Sequence, residues 1–104
     1  MIYEERDYRV KAGKLAQFVS LYEQHGLPIQ IELLGKFHGY FTTELGELNH
    51  VVAIWAYDSL DDRQARRDRM MADTRWHAYL KMVDGLLDVQ QSRILRPTSF
   101  SPMK

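Results

Sequence analysis

Two arginines sit where an amphipathic helix should carry only apolar residues. After Ser59, at 100° per residue, Leu60, Arg63, Arg67, Met70 and Met71 fall on one helix face. A guanidinium in a core-facing stripe must be paired, because stripping the partner from a buried pair costs about 3–5 kcal/mol. Two kinds of partner fit. One is an internal carboxylate, with Glu4, Glu5, Asp7 and Asp58 available. The other is the carboxylate or phosphate of a ligand, which the arginine fork matches in shape. Arg66 and Arg69 turn toward solvent among Asp62 and Asp68, as a charged face rather than a nucleic-acid patch.

Of the four histidines, His25 sits near a helix end and His77 beside Trp76, both in structural or rim positions. His38 and His50 fall on strands joined by a short hairpin and could approach across the pair. No His-x-His, His-x-x-x-His or His-x-x-Glu spacing accompanies them, so no metal site is expected. Asn49-His50 form a polar pair suited to a pocket mouth. Tyr3, Tyr8, Tyr40, Trp55, Tyr57, Trp76 and Tyr79 are numerous for a chain of 104 residues. Most belong in the core, and those with a polar tip can line a cleft between sheet and helices. Nucleophile elbows, phosphate-binding glycine loops and dinucleotide fingerprints are absent, and no cofactor is expected.

These residues have to be placed by one small domain spanning residues 1–104. At this length roughly two-thirds of the unfolded surface is buried on folding. Lys and Arg number 14, Asp and Glu 14, for a formal net charge of zero. That balance argues against a nucleic-acid partner and against a polybasic membrane-surface protein. With no cysteine, thiolate catalysis, disulfides and zinc–thiolate sites are excluded. No apolar run approaches the roughly 20 residues that span a bilayer. The opening Met1-Ile2-Tyr3-Glu4-Glu5-Arg6 is acidic where a signal peptide needs a positive n-region, and a cytoplasmic location is expected.

Ile2 to Val10 reads as a strand. Leu15, Phe18, Val19 and Tyr22 then give a helical stripe over about 14–25, which Gly26-Leu27-Pro28 should end or kink. Ile29 to Leu34 fits a helical turn or a strand approach. Gly35 to Thr43 is a second strand, with Phe37 and Phe41 on one side and His38 and Tyr40 toward the other. After a turn, His50 to Asp58 is a third strand, apolar on both faces. Ser59 caps a helix to about Ala72, Thr74 can cap a second, and Val89 to Arg96 is a last strand before a coil tail.

The order β-α-β-β-α-β defines an α+β, ferredoxin-like fold with one antiparallel sheet. Right-handed crossovers put the helices on one face of it. The other face would then expose the apolar side of the third strand. A homodimer through the open sheet face covers it; the alternative is the C-terminal tail folding over.

Gly35-Lys36-Phe37 and the run from Thr43 through Gly46-Glu47-Leu48-Asn49-His50-Val51-Val52-Ala53-Ile54-Trp55-Ala56-Tyr57 to Ser59 resemble the NIPSNAP family. So do Arg63, Arg67, Asp73, Trp76, Tyr79 and Ile94-Leu95-Arg96-Pro97-Thr98-Ser99-Phe100-Ser101-Pro102. The resemblance implies a ferredoxin-like subunit of a dimeric α/β barrel, with Phe100 as a docked anchor. It implies no settled reaction. The wider superfamily includes cofactor-independent monooxygenases and haem-degrading enzymes that use Trp, Asn or His in the cleft, types that Asn49, His50, Trp55 and Trp76 supply.

Three functions follow as expectations. The first is binding of a small anionic or aromatic molecule in a cleft between sheet and helices. Its candidate residues are Arg63, Arg67, Asn49, His50, Trp55, Trp76, Tyr3 and His38. The second is a structural or protein-interaction module without catalysis. The third is a monooxygenase-like enzyme.

Overall fold

The computed structural model describes residues 1–104 as nine elements. Strand β1 (Ile2–Val10) leads into helix α1 (Leu15–Leu21), a π turn (Tyr22–Gly26) and helix α2 (Leu27–Leu33). Strands β2 (Lys36–Thr42) and β3 (His50–Tyr57) form a hairpin. Helices α3 (Leu60–Met71) and α4 (Thr74–Met82) and strand β4 (Leu87–Leu95) complete the chain. The sheet order is β2-β3-β1-β4, antiparallel throughout. This is the expected α+β, ferredoxin-like arrangement. The molecule measures 41 × 36 × 19 Å, and the thin dimension corresponds to a single helix layer on a single sheet.

Gly26-Leu27-Pro28 does not end the first helix. Leu21, Tyr22, Gly26 and Leu27 all keep right-handed helical angles, and the Leu27 N–H reaches back five residues to the Tyr22 carbonyl. Pro28 falls in the first turn of α2, where its missing N–H costs little. The π turn lets α1 and α2 run on as one helix, so Ile29 to Leu33 is helical rather than a strand approach. Its last residue has to be glycine. A Cβ on Gly26 would lie 2.7 Å from Tyr79 Cζ and 2.9 Å from Tyr22 Cδ1.

Ser59 caps α3 as expected, its Oγ accepting the Asp62 N–H at 3.0 Å with Asp61 and Asp62 in the first turn. Asp73, rather than Thr74, caps α4, accepting the Arg75 N–H at 2.8 Å.

Alternation along β1 and β3 sends Ile2, Glu4, Arg6, Tyr8 and Val10, and Val51, Ala53, Trp55 and Tyr57, toward the helices. In β2 a register shift between Phe37 and Gly39 changes parity. Phe37 and Tyr40 therefore share the helix side, packing on Trp55 and Tyr22, while His38 lies on the opposite face against Tyr3. The expected grouping of Phe37 with Phe41, and of His38 with Tyr40, is overturned by this one extra residue.

The face away from the helices is mixed rather than uniformly apolar. Val52 and Ile54 of β3 are half-buried, and Phe41, Val89 and Leu95 are exposed. Between them β1 and β4 present Asp7, Arg9 and Gln91 and a Glu5–Arg93 ion pair. The tail does not cover this face. It runs beside Met1 and the Asp58–Asp61 segment, and Phe100 is 85% exposed rather than docked.

Candidate functional site

The sheet's helix side carries a charge in the middle of its core. Glu4 is fully buried on the central strand. Its Oε2 accepts from Arg63 Nε at 3.0 Å and Nη2 at 2.5 Å, and from Arg6 Nη1 at 3.2 Å. Of the four carboxylates the sequence offered, Glu4 is the one that takes Arg63. Its other oxygen, Oε1, is buried without a partner, as is the Tyr57 hydroxyl. Burial pushes the Tyr57 phenol up to about 12, with the Glu4 charge adding to the effect.

Arg67, one turn beyond Arg63, is placed differently. It forms no ion pair, and its Nη1 is buried with no partner. Burial lowers its pKa, the Arg6 and Arg63 charges lower it further, and Glu4 opposes them only through space. Three guanidiniums thus surround one carboxylate, leaving two uncompensated positive charges in a half-buried cluster.

The helix side also holds a cavity of about 350 Å³ between the sheet and the helix layer. Its 16 lining residues include Arg6 and Arg67, and 12 of them are hydrophobic. The walls are largely aromatic: Tyr8, Tyr22, Tyr40, Trp55, Trp76 and Tyr79. Tyr22 stacks on Tyr40 with ring centroids 4.7 Å apart, and Trp76 lies 4.9 Å from Tyr79. The π turn presents Tyr22 at this spot, and the β2 bulge presents Tyr40. Tyr22 donates to Gln30 Oε1 at 2.5 Å, and Arg6 Nε donates to the Tyr8 hydroxyl at 2.7 Å. Burial raises the pKa of Tyr22, Tyr40 and Tyr79, so these phenols stay protonated at neutral pH.

The structure brings three of the sequence's candidates to this cavity: Arg67, Trp55 and Trp76. Arg63 stands behind it, held by Glu4. The other four lie elsewhere. Tyr3 and His38 make an edge-to-face pair on the open sheet face, centroids 5.4 Å apart. Asn49 closes the β2–β3 hairpin with φ of 69°, a left-handed conformation that asparagine tolerates, and its carbonyl accepts the Val10 N–H at 2.7 Å. His50 Nδ1 lies 2.6 Å from Asp7 Oδ1 on the open face, and Nε2 lies 3.3 Å from Glu47 Oε1. Hydrogen bonding to Asp7, then Glu47, raises its pKa. No group of three or more His, Cys, Asp or Glu side chains is arranged to hold a metal ion.

Arg6, Tyr22, Gln30 and Gln90 line the cavity without having been singled out. Strict alternation from Glu4 would have found Arg6. No local signal marks Gln30 or Gln90.

An antiparallel sheet backed on one side by helices, with an arginine-bearing aromatic cavity between the layers, defines a ferredoxin-like α+β protein with an internal cavity. An antibiotic biosynthesis monooxygenase shares this fold, with a TM-score of 0.64 at 12% identity, covering 94% of this chain and 99% of that one. The chain belongs to the NIPSNAP family, whose profile matches residues 3–102. A NIPSNAP family protein from Agrobacterium tumefaciens superimposes with a TM-score of 0.96 at 43% identity, covering 100% of this chain and 94% of that one. A NIPSNAP-like domain protein from Burkholderia xenovorans gives 0.92 at 40% identity, covering 97% and 88%. The human protein NipSnap homolog 3B is 35% identical over 104 residues, 99% of this chain, which spans 42% of the human protein's length. No helix is long and apolar enough to cross a membrane.

Proposed function

We propose that the protein binds a small anionic molecule with an aromatic or apolar body in the cavity between sheet and helices. The observation that carries this is Arg67, whose buried Nη1 has no partner in the fold while its side chain lines the cavity. An unpaired buried guanidinium is costly, and a bound anion would supply the missing partner. Had both arginines been paired to protein carboxylates, an interaction module would be the better reading. Arg63 is paired and Arg67 is not. Trp55, Trp76 and the tyrosines would hold the body of the ligand.

Isothermal titration calorimetry with aryl carboxylates and aryl phosphates tests the reading. Wild-type protein should bind members of at least one class, and Arg67→Gln should weaken that binding at least tenfold. Equal binding by both proteins, or none by wild type at millimolar ligand, would sink it.

The dimer is a second part of the proposal. Phe41, Val52, Ile54, Val89 and Leu95 on the open face support a partner copy there, with the alternating charges of β1 and β4 available to meet their counterparts across a two-fold axis. Light scattering should report twice the 12.3 kDa chain mass at micromolar concentration.

A further inference from the structure

We infer that the ligand of this cavity is ditopic: a carboxylate at the Arg67 end and an oxygen acceptor, a carbonyl or phenolic oxygen, at a tyrosine end formed by Tyr40 and Tyr79. The inference rests on the cavity being an anion site and adds what the far end of the ligand must carry.

The two ends offer different chemistry. Arg6 is already engaged, with Nε on the Tyr8 hydroxyl and Nη1 on Glu4. Arg67 is therefore the one guanidinium facing the cavity with its donors free, and a single planar fork matches a single planar carboxylate. No lysine joins the lining, and the N–H of Trp76, in the first turn of α4, is already given to the Asp73 carbonyl, so the further donors that a phosphate dianion with three oxygens would need are missing.

Among the tyrosines, Tyr22 spends its hydroxyl hydrogen on Gln30, and Tyr8 accepts from Arg6. Tyr40 and Tyr79 line the same cavity and make no side-chain hydrogen bond within the fold; burial alone is the main influence on each. Neither hydroxyl is sealed from solvent, unlike that of Tyr57, so an oxygen acceptor on the ligand would find both O–H donors free. Burial keeps both phenols protonated, so they act as donors. Trp55 and Trp76 line the same cavity, Trp76 packed 4.9 Å from Tyr79, and give it apolar aromatic wall suited to a flat ring system. At about 350 Å³ the cavity has room for more than one ring.

The test compares a matched pair of probes, 6-hydroxy-2-naphthoate and 6-methyl-2-naphthoate, with naphthyl phosphate as the other anion. Calorimetry on the intact protein should show the hydroxyl compound binding about fivefold or more tightly than its methyl twin, the expected size of one to two neutral hydrogen bonds. The Tyr40→Phe, Tyr79→Phe double variant should lose that preference while keeping its affinity for the methyl compound. Arg67→Gln should weaken both naphthoates. Unfolding midpoints confirm that each variant is folded. Equal binding of the two naphthoates by wild type, with both still lost in Arg67→Gln, overturns the ditopic inference and leaves the anion site standing. Tighter binding of naphthyl phosphate than of either naphthoate also overturns it. Failure of all three to bind removes the inference and the anion site together.

Discussion

Glu4→Gln and Arg67→Gln should move stability in opposite directions, although both side chains belong to one cluster. Glu4 is fully buried and collects three N–H contacts from Arg63 and Arg6 on a single oxygen. Glutamine keeps the shape and one acceptor but removes the charge. Arg6, Arg63 and Arg67 would then share a half-buried site with no anion. Breaking a buried pair in this way costs about 3–5 kcal/mol, a large part of the roughly 5–15 kcal/mol that holds a domain together. With a urea slope of about 1–3 kcal/mol/M, the midpoint should fall by about 1 M or more. Arg67→Gln removes a charge that burial disfavours and that Arg6 and Arg63 repel. Its stability should stay level or rise by up to about 1 kcal/mol, the usual sign when a residue is kept for binding rather than for folding. Urea unfolding followed by the fluorescence of Trp55 and Trp76, both buried, reads the two variants on one scale. Equal slopes would show that the comparison is of stability alone. If Arg67→Gln lost as much as Glu4→Gln, Arg67 would be a structural residue, and the cavity would have no free cation to offer.

Gly26→Ala should destabilise by about 1–3 kcal/mol, because its Cβ would press into the Tyr79 and Tyr22 rings that wall the cavity; thermal unfolding measures this, and an unchanged midpoint would mean the π turn shifts freely. The raised pKa of His50 means its contacts with Asp7 and Glu47 add stability in full below the unfolded histidine value of about 6.5. That contribution fades as pH climbs through the higher folded value, so His50→Gln should differ most from wild type at pH 5–6 and least at pH 9. A gap that widened with pH would reverse the assignment. Phe41→Glu, at a position 58% exposed, should leave the subunit folded and halve the mass seen by light scattering. A wild-type particle of 12.3 kDa would remove the proposed dimer.

Local patterns read well where local physics decides. The β1 boundaries coincide with the reading from composition, and Ser59 with Asp61 and Asp62 marks the start of α3 by an N-cap that short-range chemistry specifies. Reading failed where one residue changes parity or pitch. The β2 bulge near His38 reversed which aromatic faces the helices, and of the end or kink expected at Gly26-Leu27-Pro28 the end did not occur, because the π turn carries the helix through. Both irregularities place cavity tyrosines, Tyr40 and Tyr22, so the errors fall at the candidate site. The tail also differed: its Phe100 meets solvent, not a pocket, within this subunit.

From the sequence by itself came the element order, the ferredoxin-like α+β class, the NIPSNAP resemblance and the placing of two arginines on the buried face of α3. Helical periodicity is a property of neighbours four residues apart, so it survives without coordinates. Which arginine is spent inside the fold is another matter. Glu4 lies 59 residues from Arg63, and only the packing of α3 across β1 brings the two within hydrogen-bond reach. The same packing leaves Arg67 without a carboxylate and opens the aromatic cavity beside it, because one turn of helix carries its guanidinium past the single buried anion.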